Sequence, residues 1–490
     1  METAGIWMLA AAALAMIVTG LPTWIALIGV TMAFALGGVA AGVFGMPLLT
    51  GIPSRLVGLL EQDLLQALPL YVLMGALLNR LPLAQVLFRV GARALRATGA
   101  GPALAGMGLG VLLAPMNGSV GASVAMLART VSPRLHAAGM PDARGAALVC
   151  VASTLGVVIP PSLVLILLGD AMLRAHTEAV NITHVAVRII NTQDVFRGAL
   201  VPAAVLLAGC VAVAWWTARR DAAGGVAAAE AAPTRADQAV ALVTIGLILG
   251  LLGAVTAGYM YAVEAAATGG VALFLFGLVT RSLTRAVLMD VLRDTMAVTG
   301  ALFALLLAAT VFTLVLRAFG TDRWIAAVLT GMGGGPYACL FAVLAMLAVC
   351  AFVLDAFEMI FVVIPVVMPP LLTRVPDATV VAVLTLLILQ LSFLLPPFGY
   401  AVLMVRNRLP HPVSTRALGG ALAPYVAIAA GVLALVLAVP AVVWRGPAAD
   451  AASAQAAKPL SEDAIRAEFE RMQREQQQEQ QQEGTAPAPK

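Results

Sequence analysis

The chain has 490 residues, of which 61% are hydrophobic and only 11% charged, with 29 basic and 25 acidic side chains. A soluble domain carries roughly 25% charge, which excludes a water-soluble enzyme, and the recurring apolar runs of about 20 residues exclude a β-barrel, whose strands would alternate in polarity over about ten. The net charge of +4 is spread over short loops and forms no patch for nucleic acid, so the chain reads as an all-α polytopic membrane protein.

In chain order, Met1 to Gly20 holds Glu2 and no basic n-region, which predicts an uncleaved first span. Apolar runs predict spans near 4–20, 22–43, 64–80, 145–168, 197–217, 238–257, 261–280, 294–316, 378–405 and 414–444. Two further stretches, 101–133 and 335–373, each fit two short helices with a break between them, at Pro115-Met116-Asn117-Gly118-Ser119 and at Leu354-Asp355-Ala356. Re-entrant hairpins fit them better than full spans. An external loop is expected at 169–196, an Ala/Gly-rich cytoplasmic linker at 218–237 and a solvated Gln/Glu-rich tail at 446–490. The organisation expected is scaffold spans at 1–80, a first repeat with an arm helix, hairpin 1 and a broken span at 81–168, scaffold spans at 169–316, a second repeat at 317–410 and a last span at 411–445.

Arginines test the topology, because cytoplasmic loops carry the excess of positive charge. With the N-terminus outside and each hairpin returning to its own side, 16 arginines fall inside and seven outside: Arg55, Arg174, Arg188, Arg197, Arg317, Arg323 and Arg374. Six basic residues from Arg445 onward oppose the external tail that ten spans then require.

The most informative pattern is an internal repeat. Gly101-Pro102 recurs as Gly335-Pro336 after 234 residues, and the polar tips at Asn117 and Asp355 are 238 apart. Pro141-Asp142-Ala143 recurs as Pro376-Asp377-Ala378 after 235, and Pro160-Pro161 as Pro396-Pro397 after 236. Five spans separate the copies and an odd number inverts them, giving the inverted-topology repeat of secondary transporters.

A double proline in an apolar span removes backbone donors, and lipid cannot satisfy the carbonyls so freed. Each break must therefore face protein or a watery cavity. Ser153, Thr154 and Gly156 precede Pro160 and Pro161, while Ser392 and Leu395 precede Pro396 and Pro397. Opposite each break stands a hairpin tip, where half-helix ends can face a charged ligand. Two breaks and two tips are expected to converge on one midplane site, the competing reading being that the prolines only kink the helices and the polar tips only cap them. Asp355 and Glu358 share one face of hairpin 2, where an ion role and an N-cap role are both open, and Glu264 opens a span and reads as structural.

Other chemistry is weakly supported. Cys150, Cys210, Cys339 and Cys350 sit in apolar runs as small hydrophobes. His136, His176, His184 and His411 fall in expected loops without an acidic partner at metal-ligand spacing, so no transition metal or catalytic constellation is expected. Gly106-Met107-Gly108-Leu109-Gly110 follows no strand and reads as a helix-packing surface rather than a nucleotide loop.

At these residues the sequence resembles the large permease subunit of tripartite ATP-independent periplasmic (TRAP) transporters, over about residues 1–445. The family's Gly-Ser tip and Ser-Thr-x-Gly-x-x-x-Pro-Pro-Ser element match Gly118-Ser119 and Ser153 to Ser162. Its Glu-Ala-Ala-Ala element matches Glu264 to Ala267, and its Leu-Asp and Pro-Pro-x-Gly elements match Leu354-Asp355 and Pro396 to Gly399. Phe357-Glu358 and Ser392-Phe393-Leu394 look like the mannitol/chloroaromatic branch, linked to small organic acids.

The resemblance implies an elevator-type transporter of the bacterial inner membrane. It would be driven by sodium, fed by a periplasmic binding protein and widened by a small four-helix subunit, with no other cofactor. By position, a first sodium site would use Asn117, Gly118, Ser119 and Gly156 with neighbouring carbonyls, near Ser153, Thr154, Pro160 and Pro161. A second would use Ala351 to Asp355 with Ser392 and Leu395, beside Glu358, Pro396 and Pro397. Where relatives carry a glycine and threonines this chain has Ala351, Leu391 and Leu395, so backbone carbonyls would supply more of the second site. A stand-alone anion carrier of the divalent-anion or arsenite type, and a non-transporting membrane scaffold, are the competing readings.

Overall fold

The computed structural model describes residues 4–60, 63–113, 119–160, 162–184, 188–222, 232–397, 399–409 and 413–444. Asn117, Gly118, Pro161, His411 and the tail lie outside them. The described residues form helices joined by short turns. They begin with α1 (Ala4–Thr19), α2 (Thr23–Ala40), the short α3 (Pro47–Thr50) and α4 (Ile52–Leu60), and α5 (Asp63–Arg80). The first repeat follows as the amphipathic arm α6 (Leu83–Ala94), α7 (Gly101–Leu113), α8 (Val120–Thr130), α9 (Ser132–Ala137), α10 (Asp142–Val158) and α11 (Leu163–Thr183). Four long helices come next: α12 (Thr192–Ala222), α13 (Arg235–Ala257), α14 (Ala262–Val279) and α15 (Arg285–Ala318).

The second repeat runs through α16 (Thr321–Gly331), α17 (Gly335–Cys350), α18 (Ala356–Glu358), a π-helical stretch at Met359–Val363, α19 (Ile364–Leu372), α20 (Ala378–Leu394) and α21 (Tyr400–Arg406). The last long helix is α22 (Thr415–Ala438). Six described helices are long and apolar enough to cross a membrane, and up to eight spans are reached when two bent pairs are counted as one span each: residues 67–80 with α6 at 64°, and α10 with α11 at 40°.

Two expected loops are corrected. Residues 169–196, read as external loop, are helical to Thr183, and α12 and α13 consume both ends of the linker read at 218–237. The charges at Asp170, Arg174 and Glu178 lie four residues apart, so on a helix they form one polar stripe; Asp170 and Arg174 pair at 2.9 Å. His176 occupies the opposite, buried face and is not a loop residue. His136 lies in α9 and holds the acidic partner that spacing did not suggest: its Nδ1 is 2.8 Å from Asp142 Oδ1.

Helices α10 and α20 form the centre. Both have 17 residues and are buried along nearly their whole length, as expected of helices apolar on every side. Small residues let α7 approach α10: a Cβ on Gly110 would lie 2.6 Å from the Ala152 carbonyl oxygen, and one on Gly106 2.6 Å from Val131 Cγ1. Gly108, on the other face, meets nothing within 4 Å, so the glycine run packs helices. Each copy also reaches into the other. Helix α11 of the first packs on α19 and α20 of the second, and α21 of the second packs on α8 and α10 of the first.

Candidate functional site

The two proline breaks share one backbone geometry. Ile159 ends α10 at φ −82° and ψ 117°, and Leu395 ends α20 at φ −78° and ψ 113°. The cause is local, because a residue before proline is driven from helical to extended conformation. Pro160 withdraws the donor that would serve the Gly156 carbonyl, and Pro396 and Pro397 withdraw those for Ser392 and Phe393. Partial substitutes appear: Ser162 Oγ lies 3.5 Å from the Val157 oxygen, and Leu395 N donates to the Ser392 oxygen at 3.2 Å.

Beyond the breaks the chains resume differently. Ser162 caps α11 by accepting from Leu165 N at 3.1 Å. Gly399, which opens α21, is required by space: a Cβ there would lie 2.5 Å from the Phe393 carbonyl oxygen and 2.8 Å from that of Leu395. Two main-chain oxygens therefore converge beside the second break.

The starts of α8 and α18, where the sequence predicts the two tips, are held by caps. Ser119 accepts from Ala122 N at 3.1 Å and starts α8. At the other tip Asp355 and Glu358 form a reciprocal capping box: Glu358 N donates to Asp355 Oδ1 and Asp355 N to Glu358 Oε2, both at 2.9 Å. The second Glu358 oxygen accepts from the Thr23 hydroxyl at the start of α2. Both Glu358 oxygens are thus engaged. The N-cap role left open in the sequence is realised at Asp355, and Glu264 likewise accepts from Tyr261 N at 2.9 Å and opens α14.

The remaining expected residues fall as follows. Ser153 donates to the Cys150 carbonyl at 2.8 Å and Ser392 to the Ile388 carbonyl at 2.7 Å, so both protons are spent on the preceding turn. Thr154 points its proton at the Cys150 and Val151 carbonyls, 3.1 and 3.0 Å away, and accepts from Gln390 Nε2 at 2.9 Å. Ala351 is buried at the end of α17, and Leu354 N closes that end by donating to the Cys350 oxygen at 2.9 Å.

Three residues not singled out in the sequence belong here. Gln390 is fully buried, and its Oε1 accepts no hydrogen bond among the described residues. Tyr400 lies near the starts of both α8 and α18: a Cβ on Gly121 would lie 3.2 Å from its hydroxyl, it is within electrostatic reach of Asp355 and Glu358, and its ring lies 6.0 Å from Phe393. Thr23 ties the acid pair to α2. A buried glutamine 236 residues from Thr154, the offset of the double prolines, was the available signal for the first. No local pattern marked the other two. Among the described residues no group of three His, Cys, Asp or Glu side chains could hold a metal ion.

The profile of one protein family, described as tripartite ATP-independent periplasmic transporter, DctM component, matches residues 10–442. The chain belongs to this family. TRAP large permeases of this kind are multi-pass membrane subunits that work with a small permease and a periplasmic binding protein. The chain is 24% identical to the C4-dicarboxylate TRAP transporter large permease protein of Pseudomonas aeruginosa, over 69% of its own length and 76% of that relative. It is 27% identical to the ectoine/5-hydroxyectoine large permease of Ruegeria pomeroyi, over 58% and 63%. Among solved structures, the Alcanivorax borkumensis YdaH transporter superposes with a TM-score of 0.60 at 16% identity, covering 81% of this chain and 89% of that one, a likeness of fold.

Proposed function

We propose that this TRAP large permease is the membrane subunit of a sodium-coupled importer of a small organic acid, which a periplasmic binding protein delivers at the outer face of the inner membrane. The observation that carries the reading is the matched pair of breaks at Ile159 and Leu395, each leaving main-chain oxygens without their helical donors inside buried helices. A small hard cation takes neutral oxygens of this kind, and half-helix N-termini at α8 and α11 favour an anion nearby.

One cation would sit among Asn117, Gly118, Ser119 and the Gly156 carbonyl. A second would rest on the carbonyls that converge beside Gly399, with the turn from Ala351 to Asp355 and Ser392 adjoining. Those carbonyls take the place of the hydroxyls that Leu391 and Leu395 do not offer. The two helix pairs 101–133 and 335–373 act as re-entrant hairpins, and the repeat core slides against α2, α5 and α15 as an elevator. The branch motifs at Phe357-Glu358 and Ser392 to Leu394 favour a 2-oxo acid or similar carboxylate. Reconstitution with the small subunit and the binding protein tests the reading: uptake needs all three components. Full uptake without the binding protein would favour the stand-alone anion carrier.

A further inference from the structure

Positive charge on the outer side of a bacterial membrane protein runs against the topological bias and calls for a use. Of the seven arginines that the topology places outside, Arg55, Arg174 and Arg317 line one cavity of about 320 Å³. It lies between α4, α5 and α15 on one side and α11 with α19 on the other, and is also lined by the buried Leu306 and Ile360. Its size falls in the range of small-ligand pockets, roughly 300–1,000 Å³. Two of its arginines are engaged. Arg174 pairs with Asp170, and Arg317 bonds Glu178 at 2.8 Å and reaches the Pro365 carbonyl at 3.4 Å. The Arg55 guanidinium has no hydrogen bond or ion pair among the described residues.

We propose that this cavity is an outer vestibule that binds a carboxylate before it reaches the midplane site, with Arg55 as its receptor and Arg317 as a second donor released when the ligand displaces Glu178. The inference deepens the importer reading and rests on its topology. A guanidinium with no described partner at an exposed edge of a cavity offers a planar fork to a carboxylate, and walls of low dielectric focus its field on incoming anions. Since Arg317 ends α15 while Glu178 lies on α11 and Pro365 on α19, two helices packed on each other, a ligand that displaces Glu178 also loosens a tie between α15 and that pair.

The test uses the full chain with its small subunit in right-side-out vesicles, the four cysteines replaced and Ala171→Cys added as reporter on the cavity wall. Labelling rates are measured with the impermeant sulfonatoethyl and trimethylammonioethyl methanethiosulfonates, each normalised to its rate with a small free thiol. The anionic reagent should react about tenfold faster, a modest focusing effect. Arg55→Gln should abolish the preference, Arg55→Lys should keep it and Glu178→Gln should raise it. Excess pyruvate, as a carboxylate probe, should slow labelling in the parent and not in Arg55→Gln. Equal normalised rates in the parent, a preference that survives Arg55→Gln, or no pyruvate protection would overturn the assignment. Should Arg55→Gln not reach the membrane, an unchanged preference in Glu178→Gln overturns it. Labelling needs neither sodium nor the binding protein, so its outcome is separate from that of the uptake experiment.

Discussion

Thr154 accepts a 2.9 Å hydrogen bond from Gln390, a residue 236 positions away, and 236 is also the offset that relates the two proline breaks. Equivalent positions of the two repeats therefore meet inside the protein, one and a half turns before each break. Helices α10 and α20 cross there, fully buried. The bond joins the copies at the level from which both breaks depart.

Truncating the two partners should have unequal effects. Thr154→Val leaves the Gln390 amide nitrogen buried without an acceptor, which costs about 1–3 kcal/mol. Gln390→Leu removes the amide together with its unpartnered oxygen and leaves Thr154 bonded to its own helix, so its effect should be the smaller. Thermal unfolding of the purified variants checks the order. A Gln390→Leu more destabilised than Thr154→Val would show that the unpartnered oxygen is held by a bound group.

Gly399→Ala should be severe, because the new Cβ meets backbone oxygens that no rotamer change can move. Overpacking of this kind costs about 1–3 kcal/mol, and it would push the Phe393 and Leu395 carbonyls apart, so uptake should fall at least tenfold. Gly108→Ala faces open space and serves as the control. Equal activity in both would remove the converging carbonyls from the proposed cation site.

Thr23→Val breaks the bond between α2 and Glu358 and leaves the capping box with Asp355 intact. It should alter the rate of uptake while the sodium concentration for half-maximal uptake stays fixed. Glu358→Gln weakens the cap as well and should also lower thermal stability by about 1 kcal/mol. A shifted sodium dependence in Thr23→Val would place Glu358 among the ion's own ligands.

What the sequence revealed and what it hid have physical causes. Proline and glycine act on their own backbone, so the two breaks, the packing of Gly106 and Gly110 and the offset between repeats were legible without contacts. The cap at Asp355 was visible as one of two readings, because a carboxylate three residues before another can cap or coordinate. The stripe at 170, 174 and 178 is helical by spacing, yet charges near an apolar run look like loop when polarity alone is read. Tyr400 and Thr23 owe their places to how α21 and α2 dock, which no local pattern encodes.

The most direct measurement is uptake into proteoliposomes holding this chain and its small subunit, with the ligand-loaded binding protein outside, under imposed sodium gradients. Inward sodium should drive accumulation, and dissipating it should end accumulation. Asn117→Ala with Ser119→Ala removes two oxygens from a low-dielectric site, so half-maximal uptake should need roughly 5- to 150-fold more sodium. Accumulation indifferent to the sodium gradient, or a double variant with unchanged sodium dependence, would contradict a cation site at the hairpin 1 tip.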